Sequence, residues 1–364
     1  MGNTDMNNKL LRVLVTACGA PGAPGIIKSL RHNGERDIWL FGTDMSEHAA
    51  GFAMVAQWQI VPSGQQSQAF IAAMLEIVRK HAIDVVLPLS TYELLPLAEA
   101  GEQFEALGAK VMVSPAPGLV VANDKVTLFT RFADKTWIPQ HRAVQSLPAF
   151  IEAVHALGYP HLPVCFKPAV SKGSRGFRIL DAHANNLDRL LNWKPDGTRT
   201  NLDSMLEVLK EAQTFPNFVV MEYLPGLEYS VDTLVANGEM LLAIPRSRDE
   251  IRLGICYRGR VEYSPELIDL SRHIVEELGL AYNINLQFRY DRENRPKLLE
   301  INPRVSGTIV LCTGAGVNMP YLALKLALNE PFSWPAVRWG TSMTRYWQEV
   351  FYDADGSTHT LDLL

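Results

Sequence analysis

Hydrophobic and polar positions follow a repeating rhythm along the first third of the chain. LLRVLVTA (10–17) is a short β-branched run, followed by the glycine- and proline-bearing loop CGAPGAPG (18–25). IIKSLRHNG then places its apolar residues at helical spacing. DIWLFGTDM repeats the strand signal. FIAAMLEIVRKHAI predicts a helix, DVVLPLS a buried strand, AEAGEQFEALG a helix and AKVMVSP a strand. Alternation of β and α up to about Ser114 predicts an α/β domain with a doubly wound parallel sheet. Because clefts in such sheets open at the C-terminal ends of the strands, loops 18–25, 42–46 and 88–93 should lie side by side.

The pattern changes after the breaker cluster SPAPG. KVTLFTRFADKT predicts a helix, VCFKPAV a buried strand, SKGSRGF a glycine-bearing loop and FRIL a returning strand. A polar, partly helical insertion surrounds WKPDGTRTN. From Asn217 strands dominate: FVVMEYL, LEYSVDTLVA, EMLLAIPRSR, RGRVEYS, INLQFRYD and PKLLEIN, with a helix at LIDLSRHIVEELG. This second part reads as α+β with an antiparallel sheet. The expected segmentation is an N-terminal α/β domain at 1–115, a small subdomain starting at 116–182, an insertion at 183–216, a catalytic region at 217–330 and an extension at 331–364.

Composition narrows the ligand classes. The 364 residues are 47% hydrophobic and 20% charged, which is ordinary globular usage with length for two or three domains. A net charge of −5 and the lack of any Lys/Arg run argue against nucleic acid and membrane surfaces as partners, so an anionic ligand must be held locally. Cys18, Cys165, Cys256 and Cys312 are far apart, which suggests neither a zinc site nor a disulfide framework. With a polar N-terminus and no long apolar run, the expectation is a cytoplasmic protein.

Chemistry concentrates in a few stretches. In KLLEINPRVS, Glu300, Asn302 and Arg304 alternate, so all three should face one side of a strand. Gln287 in INLQFRYD can add a third oxygen ligand from a neighbouring strand. Hard oxygen donors of this kind suit magnesium shared with phosphate oxygens, and Arg304 could neutralise a transferring phosphoryl group. Lys167 sits in an otherwise apolar strand, where an ammonium is costly without an anion. Lys125 opens a predicted helix and by itself reads as an ordinary solvated lysine. SKGSRGF offers Ser171, Lys172, Gly173, Ser174, Arg175 and Gly176 as a phosphate-covering flap. In MEYLPGLEYSVD, Glu222 and the Leu-Pro-Gly turn could meet a flat base and Glu228 a ribose, although a hairpin with two surface glutamates accounts for the stretch equally well. Arg246 and Arg248 alternate in IPRSRDEIRLG and suggest, with Arg252 and Arg304, a clamp for a substrate carboxylate or phosphate; a solvated edge strand is the plain alternative.

In this order and approximate spacing, Lys125, Lys167 with SKGSRGF, MEYLPGLEYSVD, Gln287 and EINPR resemble the ATP-grasp superfamily, in the variant of the carbamoyl-phosphate synthase large chain and related carboxylate–amine ligases. VLVTACGAPGAPGIIKSLR also resembles the domain that precedes ATP-grasp modules. The resemblance implies ATP and magnesium, or manganese in its stead, as cofactors. Lys125 and Lys167 would lie on the phosphates under a lid of residues 171–177. Glu222 and the backbone of Tyr223 and Leu224 would face adenine, with Glu228 on the ribose. Gln287, Glu300 and Asn302 would hold the metal; Arg304 would stabilise an acyl phosphate; and Arg246, Arg248, Ser306 and Gly307 would complete the substrate side. Ser174 and Arg175 stand where many members have consecutive glycines.

The implied reaction activates a small-molecule carboxylate as an acyl phosphate and joins it to an amine. A homodimer is the expectation by analogy. Three alternatives stand beside it: phosphorylation of a carboxylate or carbamate without ligation, an NAD(P)-dependent oxidoreductase, and a binding or regulatory module that holds nucleotide without turnover, against which intact Gln287, Glu300, Asn302 and Arg304 argue. The oxidoreductase would use Gly19, Gly22 and Gly25 with Asp44 at the end of the next strand, but the spacing is G-x-x-G-x-x-G and Lys167, Glu300 and Asn302 would then have no task. YLALK (Tyr321–Lys325) mimics the tyrosine–lysine pair of short-chain dehydrogenases, yet its neighbours favour a buried helix.

Overall fold

Strand–loop–helix alternation in the first 115 residues leaves few ways to bury both faces of the strands. A computed structural model shows the one adopted, describing residues 10–169, 176–183, 188, 191, 198–252, 254–355 and 357–361. The chain forms two compact units that interleave in sequence: residues 1–120, 229–286 and 301–364 make the first, 121–228 and 287–300 the second.

In the first unit, β1 (Leu11–Val15), β2 (Ile38–Asp44), β3 (Gln57–Ile60), β4 (Val85–Leu87) and β5 (Lys110–Val111) form an all-parallel sheet in the order β3-β2-β1-β4-β5. β3, QWQI, is an edge strand of mostly exposed residues in which Trp58 and Ile60 alternate with glutamines without being buried. The helices are α1 (Ala23–Arg31), α2 (Ser67–His81), α3 (Thr91–Glu99), α4 (Gly101–Ala106) and α5 (Ala116–Asn123). Ser90 and Glu93 form a capping box at the start of α3.

The second unit begins with α6 (Lys125–Arg131). It continues with β6 (His141–Val144), α7 (Leu147–Ala156), β7 (Val164–Pro168), β8 (Arg178–Leu180), β9 (Arg199–Thr200), α8 (Leu202–Lys210) and β10 (Phe218–Glu222), with sheet order β6-β10-β7-β8-β9. Phe150, Phe166, Phe218, Val164, Val220 and Leu202 form its core, Phe150 and Phe166 meeting edge to face at 5.0 Å. In the region read as a polar insertion, Asn201 caps α8 by accepting the Ser204 amide at 2.8 Å.

The remaining strands are β11 (Glu228–Ala236), β12 (Glu239–Ser247), β13 (Glu250–Arg252), β14 (Ile255–Arg260), β15 (Tyr282–Tyr290), β16 (Pro296–Asn302) and β17 (Ser342–Thr344), with helices α9 (Pro265–Glu277), α10 (Val310–Gly314) and α11 (Met319–Ala327). They form the sheets β12-β11-β15-β16 and β13-β14-β17. β10 and β11 belong to different sheets, so MEYLPGLEYSVD is a connection and not a hairpin. The first unit's core explains why its pieces are so distant in sequence. Val13, Val15, Ile26, Ile27 and Leu30 share one cluster with Ile309, Leu311, Met319, Leu322 and Leu324, so α10 and α11 cover the sheet beside α1. The opposite face packs Leu14, Phe41, Phe70, Met74, Ile77, Val86 and Phe104.

Candidate active site

β7 is the middle strand of the second unit's sheet. Its alternation sends Val164 and Phe166 into the aromatic core and leaves Cys165 and Lys167 on the other face. Lys167 is only 8% exposed and its Nζ donates to the Leu299 carbonyl oxygen at 3.0 Å. Lys125 opens α6 behind Asp124, whose carboxylate accepts the Thr127 amide at 2.7 Å. Contrary to the solvated reading of this lysine taken alone, it is 5% exposed, with Nζ 3.5 Å from a Glu300 carboxylate oxygen. Burial, and after it the charge of Lys125, pulls the Lys167 ammonium from its ordinary 10.5 down to about 8, while Glu300 works in the opposite direction. Two ammonium groups therefore share a buried corner with Glu300 between β7, β16 and α6.

Gln287 lies on β15, the strand next to β16 in its sheet, and Glu300 and Asn302 alternate on β16. Among the described residues no group of three or more His, Cys, Asp and Glu could take a metal. Gln287, Glu300 and Asn302 would offer one carboxylate and two amides, a low-charge donor set that would suit magnesium only with phosphate oxygens and waters completing the shell. Arg304 departs from the expected alternation: β16 ends at Asn302, and the chain turns there, with the Arg304 amide donating to the Asn302 carbonyl at 2.7 Å. Its guanidinium nonetheless returns toward the Asn302 side chain at 3.4 Å and donates to the Val305 carbonyl at 2.8 Å.

One oxygen of the Glu222 carboxylate accepts the Gln140 amide at 2.8 Å, and its carbonyl oxygen accepts the Cys165 thiol at 3.3 Å, so this residue also anchors the end of β10. Leu224 is buried, and Tyr223 lies near two guanidinium groups, Arg199 at 5.5 Å and Arg289 at 5.8 Å from the ring centre. Glu228 has Arg289 at 3.7 Å. Ser171, Lys172, Gly173, Ser174 and Arg175 lie outside the described residues. Gly176, at the end of that loop, has φ +76°, and a Cβ there would stand 2.7 Å from the Pro168 ring, so no larger residue could close this loop against β7.

In the first unit, loops 18–25, 42–46 and 88–93 meet as expected. The Cys18 amide donates to Thr43 O at 3.0 Å, the Gly19 amide to the Asp44 carboxylate at 2.7 Å, and the Leu89 amide to Thr16 Oγ1 at 3.1 Å. The arginine clamp is corrected. Arg246 is 1% exposed: its Nε donates to Asp232 at 2.5 Å and its Nη2 to Ser306 Oγ at 2.9 Å. Asn285 holds the other Asp232 oxygen at 2.8 Å. This is a buried ion pair bracing the Ser306 loop and not a solvated edge: the carboxylate comes from the adjacent strand β11, while Nη1 of Arg246 is buried with no hydrogen-bond partner among the described residues. Arg248 donates to the Gly254 carbonyl at 2.8 Å just past the end of β12. Arg345 donates to the carbonyls of Cys256 (3.1 Å), Pro21 (3.4 Å) and Gly307, tying the glycine-rich loop to the segment after β16. Burial lowers the Arg345 pKa, with Arg246 adding to the effect. Burial also pushes the Cys18 and Cys165 thiols up to about 12, which leaves neither as a thiolate nucleophile.

This arrangement has known counterparts. Residues 214–348 match the family described as ATP-grasp in the biosynthetic pathway with Ter operon, and residues 13–112 match the PylC-like N-terminal domain. Over residues 214–348 the chain is thus similar to an ATP-grasp family, and it shares its fold with the following solved structures. The carbamoyl phosphate synthase large chain of Methanobrevibacter smithii is 26% identical over 274 residues, covering 70% of this chain, which spans only 24% of that relative. Among solved structures, an ADP complex of N5-carboxyaminoimidazole ribonucleotide synthetase superposes with TM-score 0.66 at 15% identity, over 90% of this chain and 80% of that one. An L-amino acid ligase from Bacillus licheniformis superposes with TM-score 0.61 at 13% identity, over 90% and 75%.

A Cβ on Gly22 would stand 2.2 Å from Gly307 Cα, and one on Gly25 would stand 3.1 Å from Val310 Cβ, so both glycines permit close packing of the 307–310 segment. Tyr321 and Lys325 of the YLALK stretch donate to Glu35; Tyr321 belongs to the first unit's buried cluster and Lys325 is buried as well. Asp232, Arg289 and Arg345 escaped the sequence reading. Asp232 alone left a trace there, as a carboxylate inside the otherwise buried SVDTLVA strand, which implies a cationic partner.

Proposed function

We propose that this chain is an ATP- and magnesium-dependent ligase that activates a small-molecule carboxylate as an acyl phosphate and joins it to an amine. The observation that carries the reading is the corner where Lys125 and Lys167, each less than a tenth exposed, lie with the Glu300 carboxylate, and where burial and Lys125 outweigh the pull of Glu300 and Glu228 on Lys167. An excess of buried positive charge on a central strand calls for a polyanion, and the γ- and β-phosphates of a nucleotide meet that need. Gln287, Glu300 and Asn302 would hold magnesium, which would offset the negative charge of the phosphate groups.

The residues then have distinct tasks. Lys125 and Lys167 draw charge from the phosphoryl oxygens as a substrate carboxylate oxygen attacks the γ-phosphorus and ADP leaves. Arg304, turned back beside Asn302, holds the acyl phosphate; the amine attacks its carbonyl carbon and inorganic phosphate departs. Arg248, Ser306 and Gly307 remain the candidate substrate contacts, with Arg246 acting through Ser306. Water must be kept from the acyl phosphate, which is the role we assign to residues 171–177.

The test is ADP and phosphate release by purified protein with magnesium and ATP against a panel of amino acids and small carboxylates, with amide products followed by mass spectrometry. Carboxylate- and amine-dependent release with a matching amide is the expected result. Acyl phosphate trapped by hydroxylamine with no amide under any amine would leave phosphorylation as the reaction, and release independent of every carboxylate would overturn the proposal.

A further inference from the structure

Arg289 has a set of contacts that a surface arginine does not need. It lies on β15 two residues beyond Gln287, so strand alternation puts both on one face. Its Nε donates to the Gly226 carbonyl at 3.1 Å, its Nη1 stands 3.7 Å from the Glu228 carboxylate, and its guanidinium carbon is 5.8 Å from the centre of the Tyr223 ring. Gly226 and Tyr223 belong to the connection between β10 and β11, and Glu228 is the first residue of β11. Backbone bonds fix the same connection to the end of β15: the Gly226 amide donates to Tyr290 O at 3.0 Å, and the Tyr290 amide to Leu227 O at 3.0 Å. A Cβ on Gly226 would stand 2.7 Å from Tyr290 Cβ, so the approach is as close as backbone permits.

The ion pair cannot be there mainly for stability. Arg289 and Glu228 retain 29% and 13% of their side-chain exposure, and pairs of this kind contribute about 1 kcal/mol or less. What the geometry does is hold a carboxylate still. A carboxylate carries about four acceptor sites on its two oxygens, enough to meet a guanidinium and two neighbouring hydroxyls together. We infer that Arg289 is a positioning residue for the nucleotide: it presets Glu228 to receive the 2′- and 3′-hydroxyls of a ribose and presets Tyr223 beside the base. The inference rests on the ATP reading above and adds to it a source of ribose selectivity. Preordering lowers the cost of binding without touching the reacting phosphoryl group, so its effect belongs in KM and not in kcat.

The decisive measurement compares ATP with 2′-deoxy-ATP, both with magnesium, in wild type, Arg289→Leu and Arg289→Lys. In the wild type, ATP should bind tighter than the deoxy nucleotide. In Arg289→Leu, KM for ATP should rise about tenfold with kcat within about threefold, and the ratio of the two KM values should fall to within about twofold of one. Arg289→Lys, which keeps the charge and loses the fork, should recover part of the ratio. A purely structural role would weaken both nucleotides alike and leave the ratio where it was, which would overturn the inference. Should Arg289→Leu fail to fold, the ratio in Arg289→Lys and Arg289→Gln decides in the same way. Thermal shifts keep the two levels apart. A wild type stabilised by neither nucleotide overturns the ATP reading together with this inference, whereas a wild type stabilised by ATP with variants of unchanged ratio overturns the inference alone.

Discussion

Replacing Lys167 by methionine should remove a pH dependence of stability that runs opposite to ordinary alkaline denaturation, a penalty that fades as pH rises. The methionine keeps most of the side-chain volume on β7 and removes the charge. In the folded apo protein the ammonium titrates near 8 instead of 10.5, so the unfolded chain holds this proton more tightly than the folded one between those values. The sign follows: the penalty is complete below pH 8, shrinks as pH rises toward 10.5, and is gone above it. At about 1.4 kcal/mol for each tenfold difference, the full penalty is about 3 kcal/mol. The quantity to follow is the urea-unfolding free energy of the variant minus that of the wild type, from pH 7 to pH 10, since background titrations cancel in the difference. It should fall by about 2 to 3 kcal/mol across that range. A difference that stays level or grows with pH would mean that Lys167 is not held below its usual value, and the buried cationic corner would lose its basis. The same charge predicts that ATP affinity weakens above pH 8 in the wild type and shows no such bend in the variant.

Glu300→Gln should cut kcat by roughly 10² through loss of the metal carboxylate, with a raised magnesium requirement in steady-state assays; an unchanged metal dependence would move the metal elsewhere. Arg246→Leu should destabilise the first unit by about 3 to 5 kcal/mol by leaving Asp232 buried and uncompensated, and Arg246→Leu with Asp232→Leu should recover much of that in urea unfolding. Gly22→Ala should cost about 1 to 3 kcal/mol because its Cβ meets Gly307 Cα at 2.2 Å; Gly101→Ala, with open space around it at the start of α4, should be neutral or stabilise by up to about 1 kcal/mol in the same measurement.

Short-range patterns carried much of this protein on their own. Period-two and period-3.6 spacing located β1, β2, α1, α2, β7, β10, α9, β15 and β16, because each buries a face that its own residues must define. The lysine inside VCFKPAV and the carboxylate and amides of Gln287, Glu300 and Asn302 were visible because polar groups in apolar strands need a reason. Where partners come from elsewhere in the chain, the spacing was silent. Arg246 and Arg248 looked alike along one strand, yet the carboxylate of Asp232 on the neighbouring strand turned Arg246 into a buried brace. Glu222 was drawn to Gln140, some eighty residues away, and Arg345 to carbonyls of Pro21 and Gly307. The packing of α11 beside α1 made one core from the two ends of the chain. Local alternation determines which side of an element must be covered. Which distant charge, carbonyl or helix covers it depends on the path of the whole chain, and only the tertiary structure decides that.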